Sequence, residues 1–134
     1  MTNELRQVIE SRLSSIQTQY NIAEISYDLA SEDAMFPHIV WTITNVRPNE
    51  EGRQDYTLDV HVWDKSQYAA FQIADAVIDL FSYVNAPQSG GLLPTFYESS
   101  AFPVDDPDKT INHVVVRLEG QVYDGNKGGF AWQQ

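Results

Sequence analysis

The fold is decided by residues 55–81, which read Asp55-Tyr-Thr-Leu-Asp-Val-His-Val-Trp63, then Asp64-Lys-Ser66, then Gln67-Tyr-Ala-Ala-Phe-Gln-Ile-Ala-Asp-Ala-Val-Ile-Asp-Leu-Phe81. The first part alternates. Tyr56, Leu58, Val60 and Val62 fall on one side, and Thr57, Asp59, His61 and Trp63 on the other, the period of a half-buried strand. The second part changes period: Phe71, Ala74, Val77, Ile78 and Phe81 recur at helical spacing. Between them, Asp64 or Ser66 is placed to cap the helix by accepting its free amide hydrogens. A strand that runs straight into an amphipathic helix predicts a unit in which the helix stripe covers the strand's apolar face.

Outward from that unit, residues 3–20 carry Leu5, Val8, Ile9, Leu13 and Ile16 on one stripe, which predicts a first helix on the same sheet. Ile22 to Asp28 alternates weakly and reads as a short strand. Phe36-Pro37 opens a clear strand over His38 to Thr44, with Ile39, Trp41 and Ile43 on one face. Residues 45–53 hold Pro48, Asn49 and Gly52 and read as a long polar hairpin tip carrying Arg47, Asn49, Glu50, Glu51 and Arg53. Residues 82–108 contain Pro87, Gly90, Gly91, Pro94, Pro103 and Pro107, and read as a long connection holding one short strand near Leu92 to Glu98. The last strand spans Ile111 to Tyr123. It puts Val114, Val116 and Leu118 on one face and Val115, Arg117 and Glu119 on the other, with Gly120 marking a bulge or a bend. The expected fold is α+β: a mainly antiparallel sheet with a long β-hairpin and two helices packed on one face. Residues 1–123 read as a single domain, and residues 124–134 as a glycine-rich flexible tail with two aromatics, Phe130 and Trp132.

Composition narrows the function classes. A chain of 134 residues is the size of one domain, long enough to bury a sizeable core. It has no cysteine, so disulfides, thiolate metal sites and a cysteine nucleophile are excluded, which fits a reducing compartment. No run of apolar residues is long enough to span a membrane, and the N-terminus lacks the pattern of a signal peptide, so the expected place is the cytoplasm where the chain is made. Nineteen acids against eight bases give a net charge of −11. That argues against gripping DNA through its phosphates. It suits a solvated surface, a wall that DNA must slide past, or a decoy that imitates nucleic acid.

The search for chemistry returns little. His38, His61 and His113 lie in separate strands with no metal-ligand spacing, and a metal site would need them to converge with an acid such as Asp59. Ser99-Ser100 has no base near it in sequence. Ser89-Gly90-Gly91 lacks the lysine and helix of a phosphate loop. Asp105-Asp106-Pro107-Asp108 does not match a calcium loop and reads as an acidic turn. No catalytic residue, metal or cofactor is expected. Large aromatics are the remaining signal: Trp41, Trp63, Tyr56, Tyr68, Phe71, Phe81 and Tyr83 read mostly as core. Trp63 and His61, however, lie on the side away from Leu58 and Val60, where an oligomer contact would place them.

The order of these elements resembles one family. An N-terminal helix precedes the Phe36-Pro37-His38-Ile39-Val40 strand start and the polar tip. Tyr56 to Trp63 then leads into the alanine-rich helix Tyr68 to Phe81, followed by a late strand with Arg117. Over residues 1–123 this is similar to the tail-completion, or tail-terminator, proteins of long-tailed bacteriophages. The resemblance implies a non-enzymatic virion protein. It would form a ring, usually of six copies, on the head-proximal end of the tail tube, with assembly in the host cytoplasm. Its implied partners are its own copies, the tail-tube protein and head-connector proteins, with DNA passing through the lumen without specific binding. The contact residues then expected are Arg47, Asn49, Glu50, Glu51, Arg53, His61, Trp63, Phe130 and Trp132. Two readings outside the family are an acidic decoy for a DNA-binding protein and a small ligand-binding or enzymatic α+β domain.

Overall fold

The computed structural model describes residues 2–48, 53–81 and 92–124. The elements run α1 (Thr2–Ser14), β1 (Glu24–Tyr27), β2 (His38–Pro48), β3 (Arg53–Asp64), α2 (Gln67–Leu80), β4 (Leu92–Val104) and β5 (Asn112–Asp124). The strands form one sheet in the order β1-β2-β3-β5-β4. Every pairing is antiparallel except β1 with β2, which is parallel. This is the α+β sheet that the alternation predicts.

One face of the sheet holds the core. Ile39 and Trp41 of β2, Tyr56, Leu58, Val60 and Val62 of β3, and Val114, Val116 and Leu118 of β5 are all buried there. Leu5, Ile9 and Leu13 of α1 and Ala70, Ile73, Ala74 and Val77 of α2 are buried in the same cluster, so both helices lie on that face. The face assignments read from β3 and β5 hold residue by residue. The α2 stripe is rotated from its expected position: Ala70 and Ile73 face inward, while Phe71 and Ile78 only pack against the core's rim. Small alanines at 70 and 74 let the helix backbone approach the sheet, which turns the bulkier Phe71 aside. Ser66 is the cap, its hydroxyl accepting the Ala69 amide at 3.2 Å.

Three boundaries depart from expectation. The first helix ends at Ser14, because two serines in a row favour local hydrogen bonds over helix continuation. The Ser15 hydroxyl donates to the Arg12 carbonyl at 2.6 Å, and residues 15–17 close i→i−3 turns. The hairpin is longer in its strands and shorter in its tip than expected. Its ladder runs to Pro48↔Gln54, with a one-residue shift between Thr44 and Arg47.

The largest correction is β4. The segment that prolines mark as a connection contains a 13-residue strand paired along its length with β5. Pro94 and Pro103 are tolerated because β4 lies at the sheet edge, where ladder amides are needed on one side only. Of the bulge or bend expected at Gly120, the ladder shows a bulge, carried by the partner strand β4 between Phe96 and Glu98 opposite Gly120 and Glu119.

The turn after β4 is built from its own carboxylates, as the acidic-turn reading expects. Asp106 accepts the Asp108 amide at 2.9 Å, and Asp108 accepts the Thr110 amide at 2.9 Å and its hydroxyl at 2.7 Å. Those bonds hold the Asp108 carboxyl below its usual range. Glu24 is anchored in the same way. It accepts from the Ser31 hydroxyl and amide and the Ser26 hydroxyl, which lower its pKa to about 2.

Candidate interaction surface

The second face of the sheet carries neither helix. Its side chains stand in cross-strand rows set by the register. One row runs His38, Trp63, His113 and Val104 across β2, β3, β5 and β4. The next is Val40, His61, Val115 and Phe102, followed by Thr42, Asp59, Arg117 and Ser100. The face therefore grades from an aromatic and histidine end, through an apolar middle, to an ion pair.

The three histidines, separate in the sequence, converge at the first end. Trp63 stacks on His113 with ring centroids 4.3 Å apart and on His38 at 4.9 Å, and lies 5.6 Å from His61. Each such contact contributes about 0.5–1.5 kcal/mol beyond simple burial. Phe36 extends the row beyond His38 at 5.1 Å, with the Lys65 ammonium 5.9 Å from the Phe36 ring centre. The His38 Nδ1–H donates to the Met35 carbonyl at 3.2 Å, which fixes that tautomer, because a carbonyl only accepts.

His61 Nδ1 and His113 Nε2 are 2.8 Å apart. The ring centroids are 5.1 Å apart, about what that bond plus two ring radii requires. The two nitrogens therefore point at each other and share one proton, rather than aiming lone pairs at a common third point. Among the described residues, no group of three or more His, Cys, Asp or Glu is placed to hold a metal ion. Convergence has thus produced a hydrogen-bonded stack. Burial pushes both imidazoles below the ordinary histidine value. Asp59 opposes that shift at His61 and Arg117 adds to it. At His113, His61 and His38 add to the shift and Asp106 opposes it.

At the other end, Arg117 grips Asp59 with two bonds, Nε to Oδ1 at 2.8 Å and Nη2 to Oδ2 at 3.1 Å. The pair raises the Arg117 pKa and neutralises the Asp59 carboxylate, which is buried on this face. The Thr57 hydroxyl donates to Glu119 at 2.9 Å. Val40 and Val115 in the middle of this face are buried by their neighbours, and its apolar exposure lies at the edge strand, where Phe102 and Val104 are 37% and 38% exposed.

Of the residues singled out in the sequence, His61 and Trp63 lie together on this face, as predicted. Arg47 and Arg53 stand near the ends of β2 and β3 that flank residues 49–52. Asn49, Glu50, Glu51, Phe130, Trp132 and Tyr83 lie outside the described residues. Sequence reasoning missed His38, His113, Phe102 and Val104 as parts of this surface. The alternation of β2 and β5 already placed His38 with Val40 and His113 with Val115, away from the core; only the strand order brings those faces together. Tyr68, read as core, is 74% exposed at the start of α2, where its hydroxyl accepts a bond from Gln72. Among the described residues, no helix is long and apolar enough to cross a membrane.

Residues 10–123 match the family model of tail completion protein gp17. No curated protein matches the sequence. A solved chain that carries no functional description superposes with a TM-score of 0.66 at 16% identity, over 91% of this chain and 95% of its own. A chain from the virion of a native gene transfer agent particle superposes with a TM-score of 0.59 at 14% identity, over 89% of this chain and 94% of its own. At those identities the two likenesses speak to the fold.

Proposed function

The chain belongs to the tail completion protein gp17 family, and from that membership we propose that it caps the head-proximal end of a phage tail tube as a homo-oligomeric ring, six copies being the expected number. The ring stops tube growth and offers the surface to which the DNA-filled head joins. The protein acts by assembly rather than catalysis, is made in the host cytoplasm and ends in the virion. The likeness to a chain of a gene transfer agent virion supports this reading.

The observation that carries the proposal is the sheet face that neither helix covers. A chain of net charge −11 repels its own copies. The rows His38 to Val104 and Val40 to Phe102 carry no acid, and Asp59 beside them is held by Arg117. Copies can approach here with little repulsion, while the acids left over line the lumen and keep DNA from sticking.

The hairpin formed by β2 and β3 points away from the aromatic end of the face, and its tip is assigned to the tube or the head connector. Deleting Asn49 to Glu51 is expected to leave thermal unfolding unchanged and to block joining of heads to tails in particle assembly. Full infectivity of the deletion would refute that assignment.

A further inference from the structure

The aromatic end of the uncovered face is too built to be a bare surface, and the sequence holds a segment suited to it. Residues 125–134 read Gly-Asn-Lys-Gly-Gly-Phe-Ala-Trp-Gln-Gln: two aromatics, one lysine and no acid, in a chain of net charge −11. In the row His38, Trp63, His113 and Val104 the rings stand stacked side by side, with His38 buried, Trp63 and His113 half-buried and Val104 exposed at the edge. One carboxylate acts on it from the side: Asp106 faces His113 from the turn after β4. Aromatic side chains stack on aromatic and imidazole rings, and a lysine complements the carboxylate beside His113.

Reach decides which copy supplies the segment. β5 carries the chain from His113 at the aromatic row to Asp124 at the opposite end of the sheet, eleven residues away. At ~3.3 Å per residue that is about 36 Å. Phe130 and Trp132 lie six and eight residues past Asp124, which fully extended spans at most about 21 and 28 Å. A chain doubling back from Asp124 falls short of its own aromatic row.

We infer that the aromatic row of each copy binds the Phe130–Trp132 segment of a second copy. This contact rests on the ring reading and deepens it: each subunit both gives a tail and receives one, which links copies head to tail, the interface type that closes into rings.

The test uses full-length chains and solution mass, with tail tubes added. The doubly substituted Phe130→Ala/Trp132→Ala chain loses the donated rings. Val104→Asp, at the exposed edge end of the aromatic row, damages the receiving face without touching the core. Each variant alone is expected to remain monomeric with the wild-type circular dichroism spectrum. Mixed, they are expected to form a one-to-one heterodimer, because one intact face and one intact tail remain between them. A ring formed by the Phe130→Ala/Trp132→Ala chain overturns the inference and leaves the ring reading standing. Failure of the mixture to pair also overturns it. A wild-type chain that never associates sinks the ring reading and this contact with it.

Discussion

Trp41→Ala is expected to lower the unfolding free energy by about 4 kcal/mol, within the range for deleting a large buried aromatic. Trp41 is 1% exposed and lies on the core side of β2. It also holds the parallel edge strand. Its ring meets Tyr27 of β1 edge to face at 4.7 Å, and the Arg6 guanidinium of α1 lies 3.8 Å over the Tyr27 ring. The Trp41 carbonyl accepts the Asp28 amide at 2.9 Å, where Asp28 takes a positive φ of 73° to leave the strand. Removing the indole therefore leaves a cavity and frees the one strand whose position depends on side-chain stacking as well as on four ladder pairs. Denaturant unfolding of the variant measures the loss. A change under 1 kcal/mol would mean that the site collapses around the gap and that β1 is held by its ladder alone.

Acidification is expected to destabilise the protein in two stages, the first set by the histidine pair. Burial lowers both the His61 and His113 pKa values in the folded chain, whereas the unfolded chain titrates at the ordinary histidine value of about 6.5. Below that value the unfolded chain binds more protons than the folded one, so stability rises with pH in this window and falls as pH drops below it. The loss ends once pH falls below the depressed folded values. The shared proton sharpens the first stage. One charge on the pair keeps the 2.8 Å bond, but two turn both facing nitrogens into donors and break it. The second stage comes at lower pH, where Glu24, held at about 2, and Asp108, also lowered, must give up their bonds to Ser31, Ser26 and Thr110. The double variant His61→Gln/His113→Gln is expected to lose the first stage and keep the second. Equal stability of the wild type at pH 7 and pH 5.5 would contradict the buried pair.

The strands at the centre of the sheet were legible because burial on one side writes itself as alternation. Tyr56 to Val62 and Val114 to Leu118 declare their faces without any partner in view. The edge strand was not. Pro94 and Pro103 punctuate a sequence wherever they occur, and only the strand order shows that β4 has a side on which prolines do no harm. The helix stripe was misplaced by one position, because apolar size points to Phe71 while packing distance favours Ala70.

The site divides in the same way. That His61 and Trp63 look away from the core follows from β3 alone. That His38 and His113 join them depends on β5 inserting between β3 and β4, a long-range pairing that local periodicity does not encode. The uncovered face was thus half visible as a list of outward residues and invisible as a row of touching rings.

Assembly into a ring is measured by solution mass from light scattering, with electron microscopy of the same sample. Each subunit is 15.2 kDa. The proposed ring of six copies predicts a particle of about six times that mass, seen in projection as a ring with a central hole. A mass that stays at 15.2 kDa both alone and with tail tubes present, with no density added at the tube ends, would contradict it.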